Sequence, residues 1–266
     1  MLDSFNRDIR YLRISITDRC NQRCVYCMPP EGTPLTRHED ILSFEEIADV
    51  VRRSVELGFN KVRLTGGEPL MRQDVITLVS MLASIDGIED YGMTTNGTLL
   101  CEYARSLKNA GLHRLNISLD AIDPDSYRQI TRGGDVAAVL EGIATAEEVG
   151  FTNIKINCVI GRDVDEPNAA DVARFACKHG YSVRFIRKMD MFSGQFWKVP
   201  GGDGGDCPIC NRLRLSSDGW IYPCLFSSER FSIRKLGVRD ALTRSIQLKP
   251  ESGRPGSLKT FCALGG

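Results

Sequence analysis

The stretch Tyr11-Leu-Arg-Ile-Ser-Ile-Thr17 leads into a loop with three cysteines, Cys20-Asn-Gln-Arg-Cys24-Val-Tyr-Cys27. Its β-branched, apolar composition is typical of a buried strand. Thiolates spaced four and then three residues apart can hold one face of an iron-sulfur cube, and with no fourth cysteine in the loop one iron keeps an open position. The loop therefore predicts a reactive centre at a strand end. A three-cysteine zinc knuckle is the alternative for the loop alone.

Short β-branched runs alternate with longer amphipathic segments from residue 11 to residue 189. Six strands are predicted: Tyr11–Asp18, Lys61–Thr65, Asp90–Thr95, Arg114–Leu119, Asn153–Ile160 and Ser182–Met189. Helices are predicted over 43–58, 73–86, 99–111, 135–149 and 166–179, with one more over 238–247. Such alternation is typical of a parallel α/β sheet, and six units give an incomplete (β/α)6 TIM-like barrel.

The pattern stops after Met191, which divides the chain into a core over 1–191, a glycine-rich bridge over 192–206 and a C-terminal region over 207–266. The last region carries a second cysteine group, Cys207, Cys210 and Cys224. This group repeats the open-site spacing, although a CxxC pair with a distant cysteine also describes a zinc ribbon. The C-terminal region is therefore predicted to be a small metal-binding extension.

The charge balance excludes a generally basic or acidic surface, because Lys plus Arg and Asp plus Glu both number 34. It gives no reason to expect a nucleic-acid or membrane partner. The sequence has no apolar run that could span a bilayer and no signal-peptide core, so we expect a cytoplasmic protein. Most of its ten cysteines are then ligands or buried thiols. Four lack ligand spacing and are expected to be spare thiols: Cys101, Cys158, Cys177 and Cys262.

Basic residues occur on three predicted strands, at Arg13, Arg63 and Lys155. Facing inward, they would form a positive pocket, and guanidinium groups match phosphate oxygens in geometry. Each one alone is more simply solvated or paired with a carboxylate. Lys61 and Arg72 are expected to be a surface charge and a helix-start charge.

The cysteine loop, with an aromatic residue before its last cysteine, resembles the radical S-adenosylmethionine (SAM) superfamily. Further motifs are similar to the GTP 3′,8-cyclase (MoaA) family of molybdenum cofactor biosynthesis: Tyr11 to Cys20, Gly66-Gly-Glu-Pro-Leu-Met-Arg72, Thr94-Thr-Asn-Gly97, Cys207 to Gly219 and the terminal Gly265-Gly266. This resemblance implies two [4Fe-4S] clusters, one on Cys20, Cys24 and Cys27 and one on Cys207, Cys210 and Cys224. It implies SAM contacts at Tyr26, Gly67, Ser118 and Met189. It implies GTP contacts at Arg13, Arg63, Thr94, Lys155, Arg212, Arg214, Gly265 and Gly266.

Locally, Gly66 and Gly67 would leave bare backbone for the amino group of a ligand, and Glu68 would add charge there. An ordinary strand-to-helix turn explains the same glycines. The terminal Gly265-Gly266 is likewise explained by the poor order that is usual at a chain end.

The resemblance implies that GTP becomes (8S)-3′,8-cyclo-7,8-dihydroguanosine 5′-triphosphate after a 5′-deoxyadenosyl radical removes the ribose 3′-hydrogen. It also implies an electron donor such as flavodoxin or ferredoxin, and contact with the next enzyme of the molybdopterin pathway. Two features depart from the family. The bridge lacks several tens of residues, and Arg187-Lys188 replaces Glu-Tyr. The alternatives are a MoaA-like paralogue acting on another nucleotide or a peptide, and a non-enzymatic metal or electron-transfer protein.

Overall fold

Six parallel strands form the centre of the computed structural model, which describes residues 1–190, 193–253 and 264. They are β1 Tyr11–Ser15, β2 Lys61–Thr65, β3 Asp90–Thr95, β4 Arg114–Ser118, β5 Lys155–Ile160 and β6 Ser182–Arg187. All six predicted strands are present. The first and last end at Ser15 and Arg187, earlier than predicted, because the following residues turn into the loops that line the site.

Helices cover the outer face of the sheet. They are α1 Phe44–Glu56, α2 Val75–Ala83, α3 Leu100–Asn109, α4 Pro124–Thr131, α5 Val136–Glu148, α6 Pro167–His179, α7 Ile233–Leu236 and α8 Val238–Gln247. A capping box between Ser43 and Glu46 starts α1, because each satisfies a backbone N–H of the other. Helix α4 was missed, although Asp123 caps it and Pro124 begins it.

Three further strands extend the same sheet: β7 Arg212–Leu215, β8 Trp220–Tyr222 and β9 Phe231–Ser232. The strand order is β6-β5-β4-β3-β2-β1-β7-β8-β9, with β7 parallel to β1 and the last two antiparallel. The sheet does not close, since β6 and β9 are its two edges. The predicted α/β class and incomplete barrel are confirmed, and the C-terminal cysteine region is attached to β1.

Successive side chains of a strand face opposite sides of a sheet, and this separates the core from the site. On β1, Leu12 and Ile14 are fully buried in the apolar core that the helices cover. Tyr11 and Arg13 face the other side, which is the concave interior of the open barrel. The interior face is therefore polar although the sheet is buried on both sides.

The glycine-rich bridge packs on the edge of β6. The backbone N–H of Phe185 donates to the Pro200 carbonyl at 3.1 Å. Gly201 has φ +80°, and a Cβ there would lie 2.1 Å from the Val183 carbonyl oxygen. Farther along, Asp203 approaches Arg212 on β7 at 3.8 Å. The bridge thus runs from one side of the barrel opening toward the other.

Gly201→Ala tests this packing against Gly180→Ala, because Gly180 also has positive φ but has no atom near its would-be Cβ. Gly180→Ala should cost about 1 kcal/mol of unfolding free energy from backbone strain alone. Gly201→Ala should cost about 2 kcal/mol more, because Val183 must also move. Chemical denaturation measures both values. Equal losses would contradict the packing of the bridge on β6.

Candidate functional site

A cavity at the carboxyl ends of the strands brings the first cysteine loop together with the predicted cofactor residues. Its empty volume is about 1140 Å³, including space open to solvent. Among its lining residues are Cys20, Cys24, Cys27, Tyr26, Gly67, Thr94, Ser118 and Met189. The end of a parallel sheet is where such folds place ligands. The structure therefore gathers the three cysteines and all four predicted SAM contacts at one site.

The thiols of this loop fit an iron-sulfur cluster with an open iron. Burial raises the pKa of Cys20, and it raises that of Cys24 to about 12. Both are therefore protonated until a metal draws off the proton. Within residues 1–190, 193–253 and 264, no three Cys, His, Asp or Glu side chains converge tightly enough for a single ion. The spacing of the three cysteines along the loop is the feature that favours an iron-sulfur cube.

Gly66 and Gly67 hold the cysteine loop against β2. Added Cβ atoms would lie 2.4 Å from the Thr17 carbonyl oxygen and 2.2 Å from that of Arg19. The Gly67 N–H donates to the Thr17 carbonyl at 2.7 Å. Side chains at both positions would push the loop away, so the glycines are needed for packing as well as for lining the cavity.

Glu68 faces the protein and not the cavity, which corrects the expectation that it charges the ligand site. It is 1% exposed and accepts from the Thr95 hydroxyl at 2.7 Å, the Asn96 N–H at 2.7 Å and the Leu70 N–H at 3.1 Å. It thereby joins the ends of β2 and β3. Burial raises the pKa of its carboxyl to about 7, although these hydrogen bonds lower it.

Asp120 is a site residue to which the sequence assigned no role, although it ends the Ser118-Leu119-Asp120 segment. The Tyr26 hydroxyl donates to it at 2.5 Å, and the Val159 N–H donates at 2.7 Å. Asp120 is buried, which raises the pKa of its carboxyl to about 6. It fixes the aromatic residue of the cysteine loop to the ends of β4 and β5.

Cations occupy the interior face below this cavity. The strand register aligns Arg13 with Arg63 on one side and with Arg214 on the other. The row continues through Gly92 to Arg114. A Cβ on Gly92 would lie 2.7 Å from Nη1 of Arg63. Glycine here leaves room for Arg63 to cross β3 and donate to Asn116 Oδ1 on β4 at 2.9 Å.

More basic residues surround this row: Lys61, Lys155, Arg184 and Arg212. Asp90 offsets part of the charge, contacting Lys61 at 3.0 Å and Arg114 at 2.5 Å. In the described part of the chain, Nε of Arg63, Arg114 and Arg184 are buried without a hydrogen-bond partner. We call the row and the basic residues around it the cation layer. This layer carries more positive charge than Asp90 balances, and it has N–H donors without partners, as an anion site requires.

Two expectations about basic residues were wrong. Lys61 is not a surface charge, because its side chain is only 25% exposed and its ammonium lies 4.8 Å from the Tyr11 ring centroid. Arg72 is not a helix-start charge. It donates to the carbonyls of Ile16 and Leu42, tying the cysteine loop and α1 together.

The second cysteine group lies beside this layer. Cys207 and Cys210 flank a single turn before β7, and Cys224 follows β8. Arg214 donates to the carbonyl of Leu264, which is buried next to Cys224 and Phe226. The chain end therefore returns to the cation layer. Gly265, Gly266 and Cys262 themselves lie outside the described residues. Cys101, Cys158 and Cys177 are free thiols away from both groups.

Comparison with known proteins agrees with this architecture. The Radical SAM superfamily sequence model matches residues 14–176. SuiB of Streptococcus suis bound to S-adenosylmethionine superposes with a TM-score of 0.67 at 14% identity, over 89% of this chain and 64% of that one. AdoMet-bound anSMEcpe gives 0.63 at 15% identity, over 91% and 81%. The fold and the site thus define a radical SAM protein, a SAM-dependent iron-sulfur enzyme.

Sequence relatives show which family of radical SAM proteins the chain belongs to. The chain is 40% identical to the GTP 3′,8-cyclase of Petrotoga mobilis, over 95% of this chain and 94% of that protein. It is 38% identical to the GTP 3′,8-cyclase of Thermodesulfovibrio yellowstonii, over the whole of both. The chain belongs to the GTP 3′,8-cyclase family. The second alignment spans 322 residues although the chain has 266, so that relative carries several tens of residues that this chain lacks.

No helix in the described part of the chain is long and apolar enough to cross a membrane.

Tyr11 lies among the basic residues of the interior face. Burial raises the pKa of its phenol, but the charges of Arg13, Arg63, Arg212 and Lys61 outweigh burial and bring it to about 7. One tyrosine should therefore ionise near neutral pH, as followed by phenolate absorbance, and Tyr11→Phe should abolish this transition. Inorganic triphosphate should raise the midpoint, since it competes for the same cations. Tyr103→Phe is the control. A transition that survives in Tyr11→Phe would contradict the assignment.

The raised pKa of Glu68 should make the stability of the protein depend on pH. A carboxyl whose pKa is raised on folding stabilises the protein below its unfolded pKa, and this is lost as pH rises through the folded value. From pH 5 to 8 the unfolding free energy of the wild type should fall relative to Glu68→Gln by about 3 kcal/mol. Denaturant titrations across this range measure it, with exposed Glu102→Gln as control. A pH-independent difference would contradict the prediction.

Proposed function

We infer that the chain is a GTP 3′,8-cyclase, a radical SAM lyase that converts GTP to (8S)-3′,8-cyclo-7,8-dihydroguanosine 5′-triphosphate in molybdopterin biosynthesis. One observation carries this inference: the identity of 38–40% to proteins of that name extends over nearly the whole chain. The structure supports it, because the cysteine cavity and a cation layer suited to a triphosphate lie on the same interior face.

The first site would be formed by Cys20, Cys24 and Cys27 holding a cluster, with SAM on its open iron. When bound, the cluster and SAM supply a 5′-deoxyadenosyl radical on one-electron reduction. The chain's own residues position and shield this chemistry. Tyr26, held by Asp120, and Met189 line the cavity where an adenine would pack, while Gly67 and Ser118 offer polar backbone and hydroxyl groups.

The cation layer would hold the triphosphate. Arg13, Arg63 and Lys155 occupy neighbouring rows of the interior face, and Thr94 lies between them and the cysteine cavity. Phosphates bound at the layer would leave the ribose pointing toward the first site, where its 3′-hydrogen must be removed. Burial of these cations without enough carboxylates favours a highly charged anion over a neutral substrate.

The second cysteine site would hold the guanine end. We propose that Cys207, Cys210 and Cys224 carry a second [4Fe-4S] cluster, with Arg212 and Arg214 beside the nucleotide. We also propose that Gly265 and Gly266 contact GTP, a role supported by the hydrogen bond that Arg214 donates to the carbonyl of the preceding Leu264. An electron donor such as flavodoxin or ferredoxin, transfer to the next pathway enzyme and a cytoplasmic location belong to this proposal.

A paralogue with a changed substrate is the second candidate, favoured by one observation. Arg187, which replaces an acidic family residue, lines the first cavity and lies 3.9 Å from the Trp197 ring centroid in the bridge. Arg187, at the end of β6, thus adds a cation to the cavity that contains the predicted SAM contacts.

Anaerobic reconstitution separates these candidates. The reduced protein with SAM and GTP should give 5′-deoxyadenosine and the cyclised nucleotide, and about eight irons per chain, since each cube holds about four. Formation of 5′-deoxyadenosine with GTP left intact would indicate the paralogue. Stoichiometric zinc without sulfide would exclude radical chemistry altogether.

Arg63→Met should weaken GTP binding at least tenfold, because a charge-assisted hydrogen bond contributes about 1.5–3 kcal/mol. SAM binding should stay unchanged, since Arg63 lies below the first cavity. Equilibrium dialysis with each ligand measures the two affinities. Arg105→Met, which removes an exposed cation on α3, is the matched control. Equal GTP affinity in both variants would contradict the triphosphate site.

A further inference from the structure

Lys249 is a buried lysine beside the second cysteine group. It is 3% exposed, and its ammonium donates to the carbonyl oxygens of Arg212 and Pro223, both at 2.7 Å. Arg212 comes two residues after Cys210, and Pro223 immediately precedes Cys224. One side chain therefore joins the two segments that carry the group's ligands.

The same ammonium also interacts with the ligands. It hydrogen-bonds the sulfur of Cys210, and its charge acts on both Cys210 and Cys224. Burial raises the pKa of the Cys210 thiol, but the charge of Lys249, a backbone hydrogen bond and the charge of Arg212 together outweigh burial, so the net pKa is lowered. At Cys224 burial dominates and the net pKa is raised, although the charge of Lys249 lowers it. The second site thus has a built-in cation.

Arg7 anchors this arrangement from the other side. Its guanidinium donates to the carbonyls of Cys207 and Glu251, both at 2.9 Å, and of Pro250 at 2.7 Å. Asp3 pairs with it at 2.6 Å, so its own charge is balanced. Arg7 therefore links the segment that follows Lys249 to Cys207, the cysteine that Lys249 does not contact. Neither cation lines the first cavity.

Three thiolates outweigh the positive charge of a cube, so a cluster here is negative and becomes more so on reduction. A fixed cation hydrogen-bonded to a ligand sulfur favours the reduced state, since net charge and hydrogen bonds set cluster potentials. Among residues 1–190, 193–253 and 264 no carboxylate forms an ion pair with Lys249, and burying an ammonium in this way is costly unless an anion compensates it.

We propose that Lys249 is a positioning residue for the second cysteine site, where it joins the ligand segments and offsets the charge of the cluster, with Arg7 holding it in place. This proposal rests on the proposed function, in which Cys207, Cys210 and Cys224 hold an iron-sulfur cluster.

The test isolates the second site by replacing Cys20, Cys24 and Cys27 with alanine in the full chain. In this background, Lys249→Gln keeps a hydrogen-bond donor but removes the charge. At a fixed potential the ratio of reduced to oxidised cluster should fall about tenfold, a midpoint shift of about 59 mV to more negative values. Lys249→Arg should retain the parent midpoint. Redox titration followed by electron paramagnetic resonance measures these values.

Lys108→Gln is the control, because Lys108, on α3, is a partly buried lysine that packs on the ring of Phe151 and has no contact with the cysteines of the second group. Equal midpoint potentials for Lys249→Gln and Lys108→Gln would overturn the proposal. A midpoint shift in Lys249→Arg as large as that in Lys249→Gln would also overturn it. In both cases the proposed function would stand. If the full chain with Cys20, Cys24 and Cys27 replaced by alanine contains no iron and sulfide, both this proposal and the proposed function are overturned.

If circular dichroism shows that Lys249→Gln does not fold, the Arg7→Gln variant tests the proposal instead. It should release iron from the second site to a chelator severalfold faster than the parent does. An unchanged rate of iron release would overturn the proposal.

Discussion

The row of guanidinium groups across β7, β1 and β2 is the constraint on which the rest of the site depends. Parallel register places Arg214, Arg13 and Arg63 side by side on the interior face. Burying like charges in one row is unfavourable, because each loses water and repels its neighbours. Asp90 relieves part of this cost, and the remainder defines a site for a multiply charged anion. The strand register thus concentrates positive charge where we propose that the triphosphate of GTP binds.

The two cysteine groups differ in how the protein treats their charge. Burial raises the pKa of the Cys20 and Cys24 thiols in the first loop, and the charges of Glu68 and Asp120 raise it further. The second has Lys249 within its ligand segments. In our proposal, Lys249 offsets the charge of a cluster held by the second group. This difference supports the proposed division into an initiating centre at the first group and a substrate-side centre at the second.

Local sequence patterns predicted the six parallel strands, most of the helices and the residues that could be ligands, but not α4, α7 or the short strands β7 to β9. Strand alternation, the capping box at Ser43 and the cysteine spacings all depend on residues close in sequence. The pairing of β7 with β1 joins segments about 200 residues apart, and no local pattern encodes it. The burial of Lys249 and the partial burial of Lys61 and Arg184 escaped prediction for the same reason, because a charged residue is expected to be solvated until its distant neighbours are known.

The most direct test of the account follows the hydrogen that leaves the substrate. With GTP deuterated at the ribose 3′ position, mass spectrometry of the 5′-deoxyadenosine formed by the reduced, reconstituted protein reports its origin. The account predicts one deuterium in 5′-deoxyadenosine, formed together with the cyclised nucleotide, because the cation layer presents that position to the first site. Unlabelled 5′-deoxyadenosine beside unchanged GTP would contradict it.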